Sequence, residues 1–315
     1  GEFVLAKNLE FVGLNANLTD SNVQILWDDR LQRQEEDIEE SRRKTNVNFF
    51  TAAGSHDDLS LTSSSDDADV KEPIKWVSFS QRFFTSGIIA DKAFSSAVLN
   101  QVTPEDTLSI KNMKASLVLP LENGKADLSY YFGPNSYKGL KKVTEGFEKN
   151  VDMGYVFVSW VNKYIIVNLF EFLEKYFNNY GIIIILIVLI IKLALFPLTY
   201  KSYTGMAKMR VIKPEIDELK EKYGDDPTKM QQEQMKLFGQ LGVSPISGCL
   251  PMLFQMPFLF AMFFFFPNAI ELRQESFLWA HDLSTYDAFI RLPFTIPFYG
   301  AHVSLFTLLM TVSQI

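Results

Sequence analysis

The chain has 315 residues, a formal net charge of −7, 28 Phe, three His and one Cys, with a mean hydropathy of +0.04. An acidic balance argues against a nucleic-acid binder, which needs a basic surface to neutralise phosphates. The single cysteine, Cys249, allows no internal disulfide, and His56, His281 and His302 are scattered without metal-ligand spacing, so no metal or other cofactor is expected.

The mean hides two unlike halves. Residues 1–150 are polar and acidic, and from about residue 155 long apolar blocks dominate. In the first half "KWVSFSQRFF" (75–84), "ASLVLPL" (115–121) and "ADLSYYFG" (126–133) alternate at strand period. They predict a β-sandwich with one wet and one buried face. "SHDDLSLTSSSDDADVKEP" (55–73) reads as a mobile acidic loop without a core pattern. "SYKGLKKVTEGFEK" (136–149) reads as a short helix closing the domain. The region has no nucleophile elbow, phosphate loop or paired-carboxylate motif. It reads as a binding domain or a folded spacer, not as an enzyme.

Residues 155–177 place Val161, Tyr164, Ile165, Asn168, Leu169, Phe172 and Leu173 at helical spacing, interrupted by Trp160, Lys163, Glu171, Glu174 and Lys175. That charge suits an amphipathic helix lying in a membrane interface better than a spanning one; the alternative is an ordinary surface helix. Residues 178–200 then form an apolar run long enough to span a bilayer. Residues 203–245 read as a charged helical hairpin. Its first helix carries Met209, Ile212, Ile216 and Leu219 and ends at Gly224. "DDP" (225–227) supplies an N-cap Asp and a Pro at the first position of the second helix, which ends between Gly239 and Gly242. Residues 249–267 read as another span, 268–293 as a loop, and 294–315 as a third span. The abrupt ends, "GEFVLAKNLE" and "LLMTVSQI", lead to the expectation of a longer parent chain with a further anchor and further spans.

Basic residues set the orientation. The hairpin region carries Lys201, Lys208, Arg210, Lys213, Lys220, Lys222, Lys229 and Lys236, whereas residues 268–293 carry Arg273 and Arg291 alone. The positive-inside rule puts the hairpin in the cytoplasm, and the β domain and the 268–293 loop outside.

Within "IIIILIVLIIKLALFPLTYKS" (182–202) stands Lys192. A lysine at the centre of a span costs about 2.5–3.5 kcal/mol. It can snorkel along its stem or face a wet cavity; Tyr200, about 12 Å further along the helix, is beyond comfortable reach of the stem. Gln255 is a second polar residue inside a span, read either as interhelical glue or as a lining residue of the same cavity. Pro197, Pro251 and Pro257 remove backbone donors, which hydrated or well-packed bundles tolerate. Cys249, Leu253, Met256 and Phe260 share a helix face suited to packing or to promiscuous apolar contact.

The order of these features resembles the YidC/Oxa/Alb family of membrane protein insertases. The most specific stretches are "FPLTYKSYTGMAKMRVIKPEIDELKEKYGDD", "GVSPISGCLPMLFQMP" and "IELRQESFLWAHDLS"; "FLEKYFNNYG" and "FPLTYKSY" look like the Bacteroidetes branch of the Gram-negative members. The resemblance is strong from about residue 155 and weak before it, where "YYFGPNSY" carries it. It implies a multi-domain membrane protein: the latter part of a periplasmic β-supersandwich, an α-helical transmembrane bundle and a cytoplasmic helical hairpin, in the bacterial inner membrane. It implies insertion of nascent membrane proteins into the lipid bilayer, alone or beside the Sec translocon (SecYEG, SecDF), through a hydrophilic groove open to the cytoplasm, without nucleotide hydrolysis. Lys192 stands where the family usually has a groove arginine, Gln255 matches a groove glutamine, and Val188 is an apolar counterpart of polar groove positions. Cys249, Leu253, Met256 and Pro257 match the substrate-contacting face. Lys208, Arg210 and Lys213 would receive substrate or the ribosome.

Two rivals remain at this level. One is a transporter or channel subunit with an intramembrane lysine site, a class that usually shows inverted repeats or interrupted helix pairs. The other is a membrane-anchored receptor or scaffold, which would not need Lys192.

Overall fold

A computed structural model of the protein describes residues 2–12, 21–223, 226–241, 250–297 and 299–314. The chain divides into two compact units, residues 1–152 with 268–270, and residues 153–267 with 271–315. Cys249, Gly224 and Gly242 lie outside the described residues.

Among the described residues the first unit holds ten antiparallel strands: β1 (Val4–Glu10), β2 (Asn22–Gln32), β3 (Asn46–Thr51), β4 (His56–Asp58), β5 (Ser65–Val70), β6 (Ile74–Ser80), β7 (Phe84–Phe94), β8 (Ser96–Val102), β9 (Ser109–Pro120) and β10 (Lys125–Pro134). They form a six-stranded sheet in the order β1-β10-β7-β6-β3-β4 and a four-stranded sheet in the order β2-β9-β8-β5. Alternation places Met113, Ala115, Leu117 and Leu119 of β9 in the core, with Lys114, Ser116 and Val118 on the less buried face. From the other sheet Val47, Phe49, Val77, Phe79 and Ile88 join the same cluster, and Trp27 stacks on Phe79 with ring centroids 3.7 Å apart.

The wet-face expectation holds for the four-stranded sheet and fails for the six-stranded one. Every residue of β3 is buried, because Phe49 enters the inter-sheet core while Phe50 enters a second cluster with Trp76, Tyr131, Leu140 and Phe147 on the opposite face. A short helix α1 (Ile38–Arg43) precedes β3. The second cluster is capped by α2 (Tyr137–Lys141) and a 3-10 turn (Phe147–Asn150), where a closing helix was expected. The acidic run is likewise not a loop. It supplies β4 and β5, both edge strands, and β5 turns Ala68 and Val70 inward while Asp67 and Asp69 stay exposed. Carboxylates on an outer strand discourage edge-to-edge pairing.

The second unit is mostly helical. Residues 156–174 form one helix in three parts: α3 (Val156–Val161), a π-helical stretch (Asn162–Ile166) and α4 (Val167–Glu174). The π turn re-phases the buried stripe. Val158, Val161, Asn162, Ile166, Val167, Phe170 and Leu173 are buried, whereas Tyr164 and Phe172, expected on that stripe, are exposed. Next come α5 (Tyr180–Val211), α6 (Lys213–Tyr223), α7 (Pro227–Leu241) and α8 (Leu250–Phe265). The α6 and α7 helices pack on each other, and Asp226 caps α7 by accepting from the Lys229 N–H at 3.1 Å, as the "DDP" motif predicts. The α5 helix does not stop near residue 200: it continues through Met209, so the first hairpin helix begins only at Lys213. Two segments, Val156–Glu174 and Tyr180–Gly205, are long and apolar enough to cross a membrane, and Met252–Asn268 and Leu305–Gln314 are shorter apolar helices.

The expected span over 294–315 is corrected. Residues 290–303 form a β-hairpin, β11 (Ile290–Ile296) and β12 (Gly300–Val303), and the helix α9 (Leu305–Gln314) starts only after it. Pro293 and Pro297 disfavour helix, and β-branched and aromatic residues around them favour strand.

Candidate functional site

The α5 and α8 helices pack against each other and leave a groove of about 490 Å³ between their faces. From α5 it is lined by Val188, Ile191, Lys192, Leu195, Phe196, Thr199 and Tyr203, a run at spacings of three and four that marks one helix face. From α8 it is lined by Met252, Gln255, Met256, Phe258, Leu259 and Met262. Lys192 and Gln255, far apart in sequence, therefore reach one cavity. Lys192 makes no ion pair among the described residues. Its surroundings are apolar except for Gln255, Thr199 and Tyr203.

The groove face of α5 adjoins a stripe that is buried within the unit, and Ile191 belongs to both. Ile183, Ile187 and Ile191 recur every four residues and are buried within the unit, which turns Lys192 away from that stripe. Pro197 sits inside α5, so one ladder hydrogen bond is missing there. Two residues on, the Thr199 hydroxyl folds back onto the helix, within bonding distance of the Leu195 carbonyl at 3.2 Å and the Phe196 carbonyl at 2.9 Å.

The other sequence candidates distribute as follows. Met256 lines the groove, whereas Leu253 is exposed and Pro257 half-buried, and neither is a lining residue. The groove-facing stripe of α8 is offset from the predicted one: Met252, Gln255, Met256, Leu259 and Met262 form it. Lys208 and Arg210 are exposed in the last turn of α5, where cations suit the helix dipole, and Lys213 opens α6. Sequence reading missed Thr199 and Tyr203, seven and eleven positions after Lys192 on the same helix face; that spacing was the available signal.

A second polar centre lies in the loop before α9. The Asp287 carboxylate accepts from Trp279 Nε1 at 3.0 Å, from the N–H groups of Leu305 and Phe306 at 2.8 and 3.0 Å, and from the Ser304 hydroxyl. Burial alone would raise its pKa, but these donors outweigh that and hold it below the usual carboxylate range. Elsewhere in the unit, burial and the carboxylates of Glu174 and Glu171 push the Glu271 carboxyl up.

The two halves of the chain match two families. Residues 14–167 match the YidC periplasmic domain, and residues 172–315 match the 60Kd inner membrane protein family. Among relatives, the membrane protein insertase YidC of Amoebophilus asiaticus is 46% identical over 319 residues, covering 99% of this chain and 54% of the relative. The membrane protein insertase YidC of Cytophaga hutchinsonii is 44% identical, covering 99% and 53%, and that of Parabacteroides distasonis is 40% identical, covering 96% and 51%. The chain spans about half the length of these relatives. With both halves matched in order and such identity along nearly its whole length, the chain belongs to the YidC family.

Proposed function

We propose that the protein takes part in inserting nascent membrane proteins into the bacterial inner membrane, with the α5–α8 groove as the substrate's path. The observation that carries this reading is the convergence of Lys192 and Gln255 on one groove whose remaining wall is mainly aliphatic, aromatic and Met side chains. A polar segment crossing hydrocarbon leaves its backbone groups unsatisfied at several kcal/mol each. A hydrated, cationic groove shortens that dry path. The ammonium attracts an acidic tail as a point charge, without the bidentate fork of an arginine. Met252, Met256 and Met262 offer flexible contact to varied apolar segments.

In this reading α6 and α7 form a cytoplasmic hairpin, and Lys208, Arg210 and Lys213 receive the substrate or the ribosome carrying it. The Sec translocon is a further partner in this reading. No bound cofactor and no catalysed covalent step enter this scheme.

Photo-crosslinking from positions 192, 253 and 256 of the full-length protein to a nascent membrane protein tests it. Crosslinks from 192 and 256 are expected, because both line the groove. Lys192→Ala is expected to weaken insertion of substrates with acidic tails by roughly tenfold, about 1.4 kcal/mol in the charge-dependent step, and Lys192→Arg to restore it. Full insertion by Lys192→Ala, together with no crosslink from either groove position, sinks the proposal and favours an inert anchor.

A further inference from the structure

The β11–β12 hairpin is amphipathic in an unusual place. Apolar Ile290, Leu292, Phe294 and Ile296 alternate in sequence with Arg291, Pro293 and Thr295 along β11, whose register against β12 shifts between Arg291 and Ile296. Ile290 pairs with Val303, and Arg291 with His302. These apolar residues are left open within the unit: Ile290 is 52% and Phe294 60% exposed, and Phe289 just before them is exposed too. A two-stranded ribbon with open apolar side chains is marginal in water and needs something to lie against.

Its position is fixed. Only Ser304 separates Val303 from α9. Ser304 is the N-cap of that helix, its hydroxyl accepting from the Thr307 N–H at 3.1 Å, and it is tied to Asp287. The hairpin's return strand is clamped by stacking: the His302 ring lies 3.9 Å from Tyr286 and 5.0 Å from Tyr299. The ribbon is thus joined rigidly to the first turn of an apolar helix, so it lies at whatever level that helix enters the bilayer.

We infer that the hairpin lies on the outer leaflet as an interfacial ribbon, with Ile290 and Phe294 at the headgroup–acyl boundary and Arg291 and His302 toward the headgroup phosphates and water. This rests on the proposed reading of α9, the part of the expected third span that is helical, as an apolar helix that enters the bilayer from the outer side. Two features select lipid over a protein strand. Pro293 has no N–H to offer across an edge, which blunts strand addition. Tyr286, Tyr299 and His302 also form the kind of amphipathic ring cluster that suits a headgroup layer.

The test uses nitroxide labels on Phe294→Cys, Thr295→Cys and Leu309→Cys, each in full-length protein stripped of its other cysteines and reconstituted in liposomes. Collision with oxygen reports lipid, and collision with a water-soluble nickel chelate reports solvent. Position 294 is expected to favour oxygen severalfold over 295, its polar neighbour in the sequence, and 309 to be deeper still. Position 294 as open to nickel as 295 overturns the inference, because the apolar side chain is then in water. Shielding of 294 from both reagents also overturns it, because protein then covers the position. If 309 itself is open to nickel, the spanning reading of α9 fails and the inference falls with it; a lipid-buried 309 beside a wet 294 separates the two failures.

Discussion

Asp287 concentrates more hydrogen bonds on one side chain than any single groove residue, and its removal has a calculable sign. Four donors converge on its carboxylate, two of them backbone N–H groups that open α9. Asp287→Ala leaves buried donors without an acceptor and removes a negative charge from a helix N-terminus. Each loss costs on the order of 1 kcal/mol or more, so about 3 kcal/mol in all is expected. The native contribution follows the carboxylate's charge. Because the folded pKa is depressed, the stabilisation is present above the unfolded value near about 3.9 and is lost as pH falls through the lower folded value. Thermal unfolding of the two proteins between neutral pH and about pH 3 checks this: the gap between their midpoints should narrow with acid, and a constant gap would show that the charge is idle. Sequence alone gave no sign of this carboxylate's role, since Ser304 lies 17 positions away and no periodicity links them. Lys192 was legible for the opposite reason. One ammonium inside an unbroken apolar run is costly, and the cost itself marks the position.

Elements were legible where one period dominates and obscure where two compete. The core strands of the first unit carry clean alternation; β10 falls within one residue of its predicted limits at each end, while β9 starts six residues before its predicted start. The acidic run of β5 hid its alternation under charge, because Asp67 and Asp69 outweigh Ala68 and Val70 in any average. In the 156–174 helix the single π stretch shifted the buried face, which no fixed 3.6-residue period anticipates. The β11–β12 hairpin was mistaken for a span because its apolar content is that of a span and only Pro293 and Pro297 speak against helix. The start of α5 supports a sharper expectation. Gly181 lies under the Phe277 ring, so closely that an added Cβ would overlap it. Alanine gains about 1 kcal/mol of helix propensity over glycine. Overpacking a tight contact costs about 1–3 kcal/mol, so the clash prevails if the ring is held in place. Gly181→Ala should therefore lower the unfolding midpoint despite being the better helix former, and Gly181→Ala with Phe277→Leu should recover part of the loss. A single variant as stable as the parent would mean that the Phe277 loop moves aside freely.

At the scale of the whole molecule, charge and length decide together. The α5 helix has 32 residues, or about 48 Å at the helical rise, against a hydrocarbon core of about 30 Å. One end must project from the bilayer, and it is the end that carries Lys201, Lys208 and Arg210, next to the exposed cations of α6 and α7. Tyr176, Phe177 and Tyr180 before the apolar run and Tyr200 and Tyr203 after it mark the two interfaces, as aromatic residues do at both faces of a bilayer. The helix pair would then be cytoplasmic and the loop between α8 and α9 outside. Fusions truncated at two points separate the alternatives. Green fluorescent protein joined after residue 240 should fluoresce, while alkaline phosphatase joined there should be inactive. The same reporters joined after residue 285 should give the reverse, because phosphatase matures only outside the cytoplasm. Replacing Lys201, Lys208, Arg210 and Lys213 by Gln should weaken the contrast in the first pair, since each lost cation relaxes the retention signal. Active phosphatase after residue 240 in the unaltered chain would invert the topology. It would place the basic helices outside and leave Lys192 near the wrong membrane face to meet a substrate arriving from the cytoplasm.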